Sequence, residues 1–263
     1  MSRWASPADT STPVAVQPET NRSITLTVLY DDYAYDEELK TGWGFACLVK
    51  GLERTLLFDT GGDSAILLSN MNTLGVKPAD IDIVVLSHYH RDHTGGLDGF
   101  LAENHNVTVF VPIFFPERFK RRVRAQGARV VSVGKACEIC RGAQTTGQLG
   151  TRIREQALCI STSNGLFVLT GCAHPGIVRV VEAARELGPL GVCGIMGGFH
   201  MKGFSEKEVI EIVVKVKTMG VTVAAPCHCS GDVARQMMRQ SFGSDYANVG
   251  VGATVQLVAG TRM

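Results

Sequence analysis

The chain lacks long apolar runs and a strong charge of either sign. No stretch of its 263 residues approaches the roughly 20 apolar residues that a membrane-spanning helix needs, and the first 22 residues lack the charged start and apolar stretch of a signal peptide. Because 26 Lys and Arg oppose 25 Asp and Glu, the formal net charge of +1 gives no general attraction to nucleic acid or to an acidic membrane. These absences predict a cytoplasmic protein without a nucleic-acid or membrane partner, and they do not indicate an oligomeric state.

Internal repeats are absent, and so are low-complexity segments after the first 22 residues. With 45% hydrophobic and 19% charged residues, the composition is that of a globular protein. The first 22 residues contain three prolines and several small polar residues, so we expect a flexible N-terminal tail over 1–22. A single domain is expected over 23–263.

Cysteine pairs at metal-site spacing are scarce. Cys137 and Cys140 have the two-residue gap of a zinc knuckle or a redox pair, but no second pair with suitable spacing accompanies them. Several of the eight cysteines fall inside predicted buried strands, which favours reduced thiols over a disulfide framework.

Short apolar runs alternate with helical patterns, which is typical of an α/β architecture. Strands are predicted at 24–30, 44–49, 54–58, 81–86, 107–111, 129–133, 157–161, 166–170, 192–195, 221–225 and 253–258. Helices are predicted at 63–74, 177–187 and 206–219, the last with a Ser205-x-x-Glu208 capping box. Since only short turns separate the first three strands, they should pair antiparallel, and mixed sheets packed face to face with helices outside are expected.

Three imidazoles and a carboxylate fall within six residues, directly after the apolar run 81–87. In an extended segment His88 and His90 project to the same side, so they can bind one cation. Asp92 and His93 follow where the chain turns, and they can face a second cation beside the first. Imidazole and carboxylate ligands suit zinc, iron or manganese, and two such ions form the usual hydrolytic clamp.

Other polar residues follow apolar strands in the same way. His174 and His228 each end a predicted strand, and strand ends meet at one edge of an α/β sheet, so we expect both to converge on the cluster at 88–93. Asp59 also ends a strand, where an acid can hold a ligand histidine in the correct tautomer. His200 is a further imidazole at a strand end, for which a substrate-side or acid–base role is favoured over metal ligation.

The order of these motifs resembles the metallo-β-lactamase superfamily, whose signature is His-x-His-x-Asp-His after a strand. Segments 58–61, 86–88, 94–97, 145–147, 171–174, 197–200 and 227–231 resemble the branch that contains dihydropterin ribofuranosylaminobenzene phosphate synthase. The resemblance covers nearly everything after the tail. It implies an α/β (α+β) fold, a four-layer αββα sandwich of two mixed β-sheets, with a centre for one or two divalent metal ions in a cleft at one edge of the sheets.

By the family pattern, His88, His90 and His174 hold the first metal. The same pattern gives Asp92, His93 and His228 to the second. Many members have a Gly-Asp pair at the end of the later strand, whose carboxylate bridges the metals, whereas here Gly171 is followed by Cys172. A Cys172 thiolate would then be the bridging ligand, or the second site would be weak or empty. Zinc is the favoured metal, with manganese or iron as alternatives.

Three functions remain open at this point. The leading prediction is a hydrolase that uses a metal-activated hydroxide on an ester, phosphoester or related bond, with Asp92 orienting the water and His200 or His228 stabilising charge. The alternative is a synthase-like transferase that releases pyrophosphate from a pterin-like substrate. For that reaction Arg118, Arg121 and Arg122 are candidate phosphate contacts, and the phenylalanines at 114, 115 and 119 would stack on the ring. The third is a non-catalytic metal-containing binding or sensor protein. Both enzymes would take a small-molecule substrate.

Overall fold

The computed structural model of the chain describes residues 23–260, so the tail predicted over 1–22 lies outside the described residues. Seven strands form the first sheet, which is parallel from β3 to β6 and antiparallel elsewhere. From one edge to the other its strands are β13 (Thr254–Val258), β1 (Ser23–Tyr30), β2 (Ala46–Lys50), β3 (Leu56–Phe58), β4 (Ile83–Val85), β5 (Thr108–Pro112) and β6 (Arg129–Val133).

Six strands form the second sheet, in which only β10, β11 and β12 run parallel. From one edge to the other they are β12 (Val223–Cys227), β11 (Val192–Gly198), β10 (Gly165–Thr170), β9 (Leu158–Thr162), β8 (Ala143–Gly147) and β7 (Lys135–Cys140).

The helices cover the outer faces of both sheets. They are α1 (Ser64–Thr73), α2 (Arg91–Thr94), α3 (Leu97–Glu103), α4 (Glu117–Ala125), α5 (Ile177–Arg185), α6 (Glu206–Thr218) and α7 (Asp232–Phe242). Apolar side chains of α1, α3 and α4 pack on the first sheet, and those of α5, α6 and α7 pack on the second. The result is the four-layer αββα sandwich that the resemblance implies, and that prediction is confirmed.

The alternation of side chains along buried strands builds the layers. On β10, Phe167 and Leu169 point into the core between the sheets, whereas Leu166 and Val168 point toward the helices. Since both faces of this strand are covered, it is apolar throughout. Helix α6 begins at the predicted capping box, in which the Ser205 side chain and Glu208 each accept a backbone N–H bond.

All eleven predicted strands overlap observed ones, but two strands and several helices are not predicted. The first four residues of β7 are exposed, and β8 carries one apolar residue, Ala143, so neither strand forms a buried apolar run. The expectation of only short turns between the first three strands is wrong for β1 and β2, because the connection 31–45 is long. The antiparallel pairing of these three strands is correct.

The two parallel blocks bring their carboxyl ends to one edge of the sandwich. Strands β3 and β4 deliver Asp59 and His88 there, and strands β10, β11 and β12 deliver the segments that begin at Gly171, Phe199 and His228. None of the helices in residues 23–260 has the length and apolar character needed to span a bilayer.

We predict that the core between the sheets depends strongly on Phe167, whose side chain is fully buried. Phe167→Ala should lower the free energy of unfolding by about 3–5 kcal/mol, because it removes buried apolar surface and leaves a cavity. Urea denaturation measures the change. Phe114→Ala is the matched control, since Phe114 is 60% exposed, and an equal loss in both variants would contradict the packing described.

Candidate metal centre

The first group of candidate ligands consists of His88, His90 and His174, whose donor atoms all lie within 4.8 Å of one another. Nε2 of His88 lies 3.0 Å from Nδ1 of His90 and 3.2 Å from Nε2 of His174. The first two come from the segment after β4 and the third from the segment after β10. The structure therefore brings together the three imidazoles that the resemblance assigns to one metal, and their ligation stays a prediction.

The second group consists of Asp92, His93, Cys172 and His228, again within 4.8 Å of one another. Oδ2 of Asp92 lies 3.5 Å from Nε2 of His93 and 3.4 Å from Nε2 of His228. The Cys172 thiol lies 3.2 Å from Nε2 of His93. Cys172 thus stands beside the acid and imidazoles predicted for the second metal.

Acceptors outside the two groups fix the orientation of three imidazoles. Nδ1 of His93 donates to Asp59 at 2.7 Å, and Nδ1 of His88 donates to the Ser87 hydroxyl at 2.9 Å, which itself donates to Asp59 at 2.6 Å.

Asp32 plays the same part for His228, accepting from its Nδ1 at 2.9 Å. In each of the three imidazoles Nδ1 faces the outer acceptor, so Nε2 is directed into the site. This is the arrangement in which an outer acceptor holds a ligand histidine in the binding tautomer.

Burial keeps the first group neutral. It lowers the pKa of His88 well below its usual range and that of His174 to about 3, and the neighbouring imidazoles add to the effect. Burial also lowers the pKa of His90. Neutral imidazole is the form that binds a cation, because a protonated ring has no free lone pair.

In the second group, neighbouring carboxylates outweigh burial in setting the pKa of each imidazole. Burial lowers the pKa of His93, but attraction to Asp59 outweighs it and raises that pKa to about 10. Burial is likewise outweighed at His228, where Asp32 and then Asp92 raise the pKa to about 9. Burial would raise the pKa of Asp92, yet His228 and His93 hold it well below its usual range. These acids create a negative environment that attracts a proton or a metal cation.

The residues present fit a divalent cation. Nε2 of His228 is buried and has no hydrogen-bond partner within residues 23–260, a costly arrangement that a metal ion would relieve. The nitrogen separations of 3.0 and 3.2 Å around His88 are close to the roughly 3.4 Å between ligands of a tetrahedral zinc ion with bonds of about 2.0–2.1 Å. Imidazole, carboxylate and thiol donors together suit zinc, with iron or manganese as alternatives.

Strained backbone is concentrated at this site. In the part of the chain that the structure describes, the non-glycine residues with left-handed φ are Asp59 (56°), Ala173 (53°), His200 (52°) and His228 (46°). Each lies just after a strand and either belongs to the donor groups or is next to them. Such a conformation costs roughly 1–2 kcal/mol per residue, and it persists where the surroundings impose it.

His200 lies at the rim of the site. Its ring is 4.4 Å from the ring of His174, and its nitrogen is within 4.8 Å of the donor atoms of Cys172 and His174. Unlike the His88 and His93 side chains, it is exposed to solvent. This position is compatible with contact to a substrate.

The arginines predicted to bind phosphate lie on the exposed face of α4. Nε of Arg122 pairs with Asp98 at 3.3 Å, and within residues 23–260 no ion pair or hydrogen bond of Arg118 or Arg121 reaches the donor groups. Phe115 and Phe119 are buried against Tyr89, so the expectation that they stack on a ligand is wrong.

Several residues at the site are not found by sequence reasoning. Asp32 follows β1 and carries the same strand-end signal as Asp59, so it was within reach of that argument. Glu155 and Lys202 have no local signal, and Trp43 is one aromatic residue within a long connection. Only the folded chain places them beside the predicted ligands. Glu155 accepts a hydrogen bond from the backbone N–H of His174, and the Trp43 ring contacts both Lys202 and the His228 ring.

Comparison with known proteins agrees with this geometry. A family model described as the metallo-beta-lactamase superfamily matches residues 44–186, which is more than half of the chain. The chain is 26% identical to the 7,8-dihydropterin-6-methyl-4-(beta-D-ribofuranosyl)-aminobenzene-5'-phosphate synthase of Methanocaldococcus jannaschii, over 89% of this chain and 97% of that protein.

Two solved structures extend the comparison. Tm1679, described as a metal-dependent hydrolase of the beta-lactamase superfamily, superposes with a TM-score of 0.74 at 25% identity, covering 89% of this chain and 99% of that one. The metallo-beta-lactamase fold protein YhfI from Bacillus subtilis gives a TM-score of 0.66 at 16% identity, covering 89% and 99% of the two chains. The second likeness shows the shared fold alone.

We predict that Asp59→Asn weakens metal binding about 10–100-fold, because the amide removes the charge that holds His93 and, through Ser87, His88. Competition with a chelator measures the affinity. Asp82→Asn is the matched control, since Asp82 pairs with Arg54 at the opposite end of β4. Asp59→Asn protein that binds metal as tightly as the wild type would contradict the role given to this acid.

Proposed function

Because the chain belongs to the metallo-beta-lactamase superfamily, we propose that it is a metal-dependent hydrolase of small-molecule esters or phosphoesters. The observation that carries the proposal is the pair of adjacent donor groups, one with three imidazoles and one with a carboxylate, a thiol and two imidazoles. Both groups sit at the edge where the parallel strands end, which is the usual position of a ligand cleft in an open α/β sheet.

The proposed ligands are His88, His90 and His174 for one cation and Asp92, His93 and His228 for the other, with Cys172 between them. Zinc is the favoured metal. When bound, a divalent cation lowers the pKa of a water molecule and polarises the carbonyl or phosphoryl oxygen of the substrate.

Asp92 is the proposed orienting group for the attacking water. Its side chain is 19% exposed, whereas those of His93 and His228 are fully buried. Oδ2 faces these two imidazoles, which leaves Oδ1 to accept a hydrogen bond from the water and to orient it. The water oxygen then bonds to the carbon or phosphorus atom as the bond to the leaving oxygen breaks.

His200 is the proposed proton donor to that leaving oxygen. It lies at the exposed rim beside His174, where a leaving group would depart into solvent. A positioned acid of this kind contributes typically about 10²–10⁴-fold to the rate. One water molecule is consumed: its oxygen joins the carbon or phosphorus atom, its proton is released to solvent, and the leaving oxygen takes a proton from His200, which solvent then reprotonates.

Lys202 favours a substrate that carries an anionic group. Its ammonium lies 4.9 Å from the centre of the Trp43 ring, and that ring, 49% exposed, lies 4.7 Å from the His228 ring. Within residues 23–260 no carboxylate pairs with Lys202. A cation–π contact thus holds an uncompensated positive charge at the mouth of the site, where a phosphate would meet it.

A cytoplasmic location is part of the proposal. All eight cysteines are free thiols, and six of them are buried. Reduced thiols in this number are typical of a compartment in which disulfides do not persist.

The hydrolase proposal is tested with a panel of phosphodiesters, esters and lactones, before and after chelation and after return of Zn²⁺, Mn²⁺ or Fe²⁺. Turnover should be lost on chelation and restored by one of these ions. Asp92→Asn should lower kcat by about 10²–10⁴-fold, while Asp98→Asn, on the exposed face of α3, should not. Turnover that survives chelation, or metal-loaded protein inactive on the whole panel, would contradict the proposal.

A second candidate is a synthase-like transferase, favoured by the relative from Methanocaldococcus jannaschii that matches over 97% of its length. In this reaction a bond forms between a dihydropterin methylene carbon and an aryl ribofuranosyl phosphate, and the bond from that carbon to pyrophosphate breaks. The metal centre and Lys202 would face the pyrophosphate. The role predicted for Arg118, Arg121 and Arg122 of α4 stays a prediction, and it is the alternative to Lys202 as the anion contact.

For this candidate we expect pyrophosphate release from a dihydropterin pyrophosphate only when the aryl ribofuranosyl phosphate is present. Lys202→Met should raise KM for the pterin substrate about tenfold or more, because a hydrogen bond to a charged group contributes roughly 1.5–3 kcal/mol. Lys215→Met, in the last turn of α6, is the matched control. If Arg121→Ala or Arg122→Ala raises KM instead, the anion binds on α4 and the role of Lys202 is wrong.

A further inference from the structure

Glu155 is a buried acid that sequence analysis does not single out. It lies between β8 and β9 and is 2% exposed. Its backbone is fixed by two hydrogen bonds with Leu149, at 2.8 and 3.0 Å, and the next residue, Gln156, donates its N–H to Ser87. The backbone that carries the carboxylate is therefore held in place beside the segment that carries His88.

Three consecutive backbone N–H groups donate to this one carboxylate. Those of Cys172 and Ala173 donate to Oε1, each at 2.9 Å, and that of His174 donates to Oε2 at 2.8 Å. Within residues 23–260 the carboxylate forms no ion pair. Burial raises the pKa of Glu155, and the three N–H bonds oppose that effect.

Successive N–H groups converge on one point only when the backbone forms a concave nest, which is an anion-binding conformation. Ala173 at φ 53° supplies the left-handed residue of this nest. Without an anion the three dipoles would repel one another and the three N–H donors would be left without a partner, which is unfavourable away from water. Glu155 is thus an internal anion that holds an otherwise unfavourable turn.

The same turn provides one donor to each of the two groups described above. The Cys172 thiol lies 3.2 Å from Nε2 of His93, and Nε2 of His174 lies 3.2 Å from Nε2 of His88. Within residues 23–260 no acid accepts from the His174 ring in the way that Asp59 accepts from His93, and the Cys172 thiol contacts the Cys229 thiol rather than an acid. Their direction therefore depends on the backbone of residues 172–174.

We propose that Glu155 is a positioning residue of the metal centre, which aims Cys172 and His174 at the cations by fixing the backbone between them. The inference rests on the proposed ligand set. Glu155 is not itself a ligand. Its carboxylate contacts no ligand side chain and acts only through the three backbone N–H groups.

Glu155→Gln in the full chain tests the proposal. The amide keeps the shape of the side chain but turns its NH₂ group against a backbone N–H, so the nest opens. We expect metal affinity, measured by competition with a chelator, to fall about 10–100-fold. In Co²⁺-loaded protein we expect a weaker sulfur-to-cobalt charge-transfer band, because the Cys172 thiol no longer faces the ion. Glu155→Asp keeps the charge but is too short to reach all three N–H groups, so both signals should lie between those of Glu155→Gln and the wild type.

Asn104→Asp is the matched control for general loss of stability. This variant replaces a buried amide by a carboxyl group, the reverse of Glu155→Gln. The Asn104 side chain donates to the carbonyls of Pro78 and Ile81, far from the strand ends that form the site. Its thermal unfolding should shift down, while the metal affinity and the cobalt spectrum stay those of the wild type.

Two results would overturn the inference. One is Glu155→Gln protein with the affinity and cobalt spectrum of the wild type, whatever its unfolding temperature. The other result applies if Glu155→Gln does not fold. In that case, Glu155→Asp protein that binds metal as tightly as the wild type would overturn the inference. Wild-type protein that binds no divalent metal would instead contradict the proposed function, so the two failures are distinguishable.

Discussion

The buried carboxylate of Asp59 is the constraint on which the site depends. It accepts hydrogen bonds from the Ser87 N–H and hydroxyl and from His93, and it thereby joins the end of β3 to the segment after β4. The approach is so close that a Cβ at Gly171 would clash with the Ser87 hydroxyl and lie 2.9 Å from the carboxylate. One acid therefore sets the direction of imidazoles in both donor groups and the distance between the two sheets at this edge.

Three acids outside the donor groups hold the proposed ligands in place. Asp59, Asp32 and Glu155 each accept N–H bonds from an imidazole or from the backbone that carries a ligand, and none of them is a proposed ligand itself. The burial of Asp59 and Glu155 is unfavourable, and so is the left-handed backbone at four positions of the site. The three apolar cores of the sandwich offset these terms, because they bury both faces of both sheets. Local strain at the site is thus compatible with a stable fold.

The sequence contains most of the strands and the proposed ligands because both depend on short-range patterns. Apolar runs of four to eight residues predict buried strands, and imidazoles that follow such runs stand at strand ends. Strands β7 and β8 are missed because their pairing, rather than their composition, makes them strands. Phe115 and Phe119 are predicted to stack on a ligand, whereas they pack beneath Tyr89, since a local aromatic pattern does not show which side faces the core.

By itself the sequence determines an α/β architecture, the family resemblance and the candidate metal ligands, because hydrophobic period and motif spacing are local, and the resemblance in turn implies the αββα sandwich. Only the tertiary structure decides how near the donor atoms of the two groups lie to one another, which acids outside the groups hold them, and which side chains are exposed at the rim. Asp32 and Glu155 reach their partners across 196 and up to 19 positions of sequence. Such contacts arise from the packing of separate strand ends, and side-chain orientation at those ends depends on hydrogen bonds that no local pattern encodes.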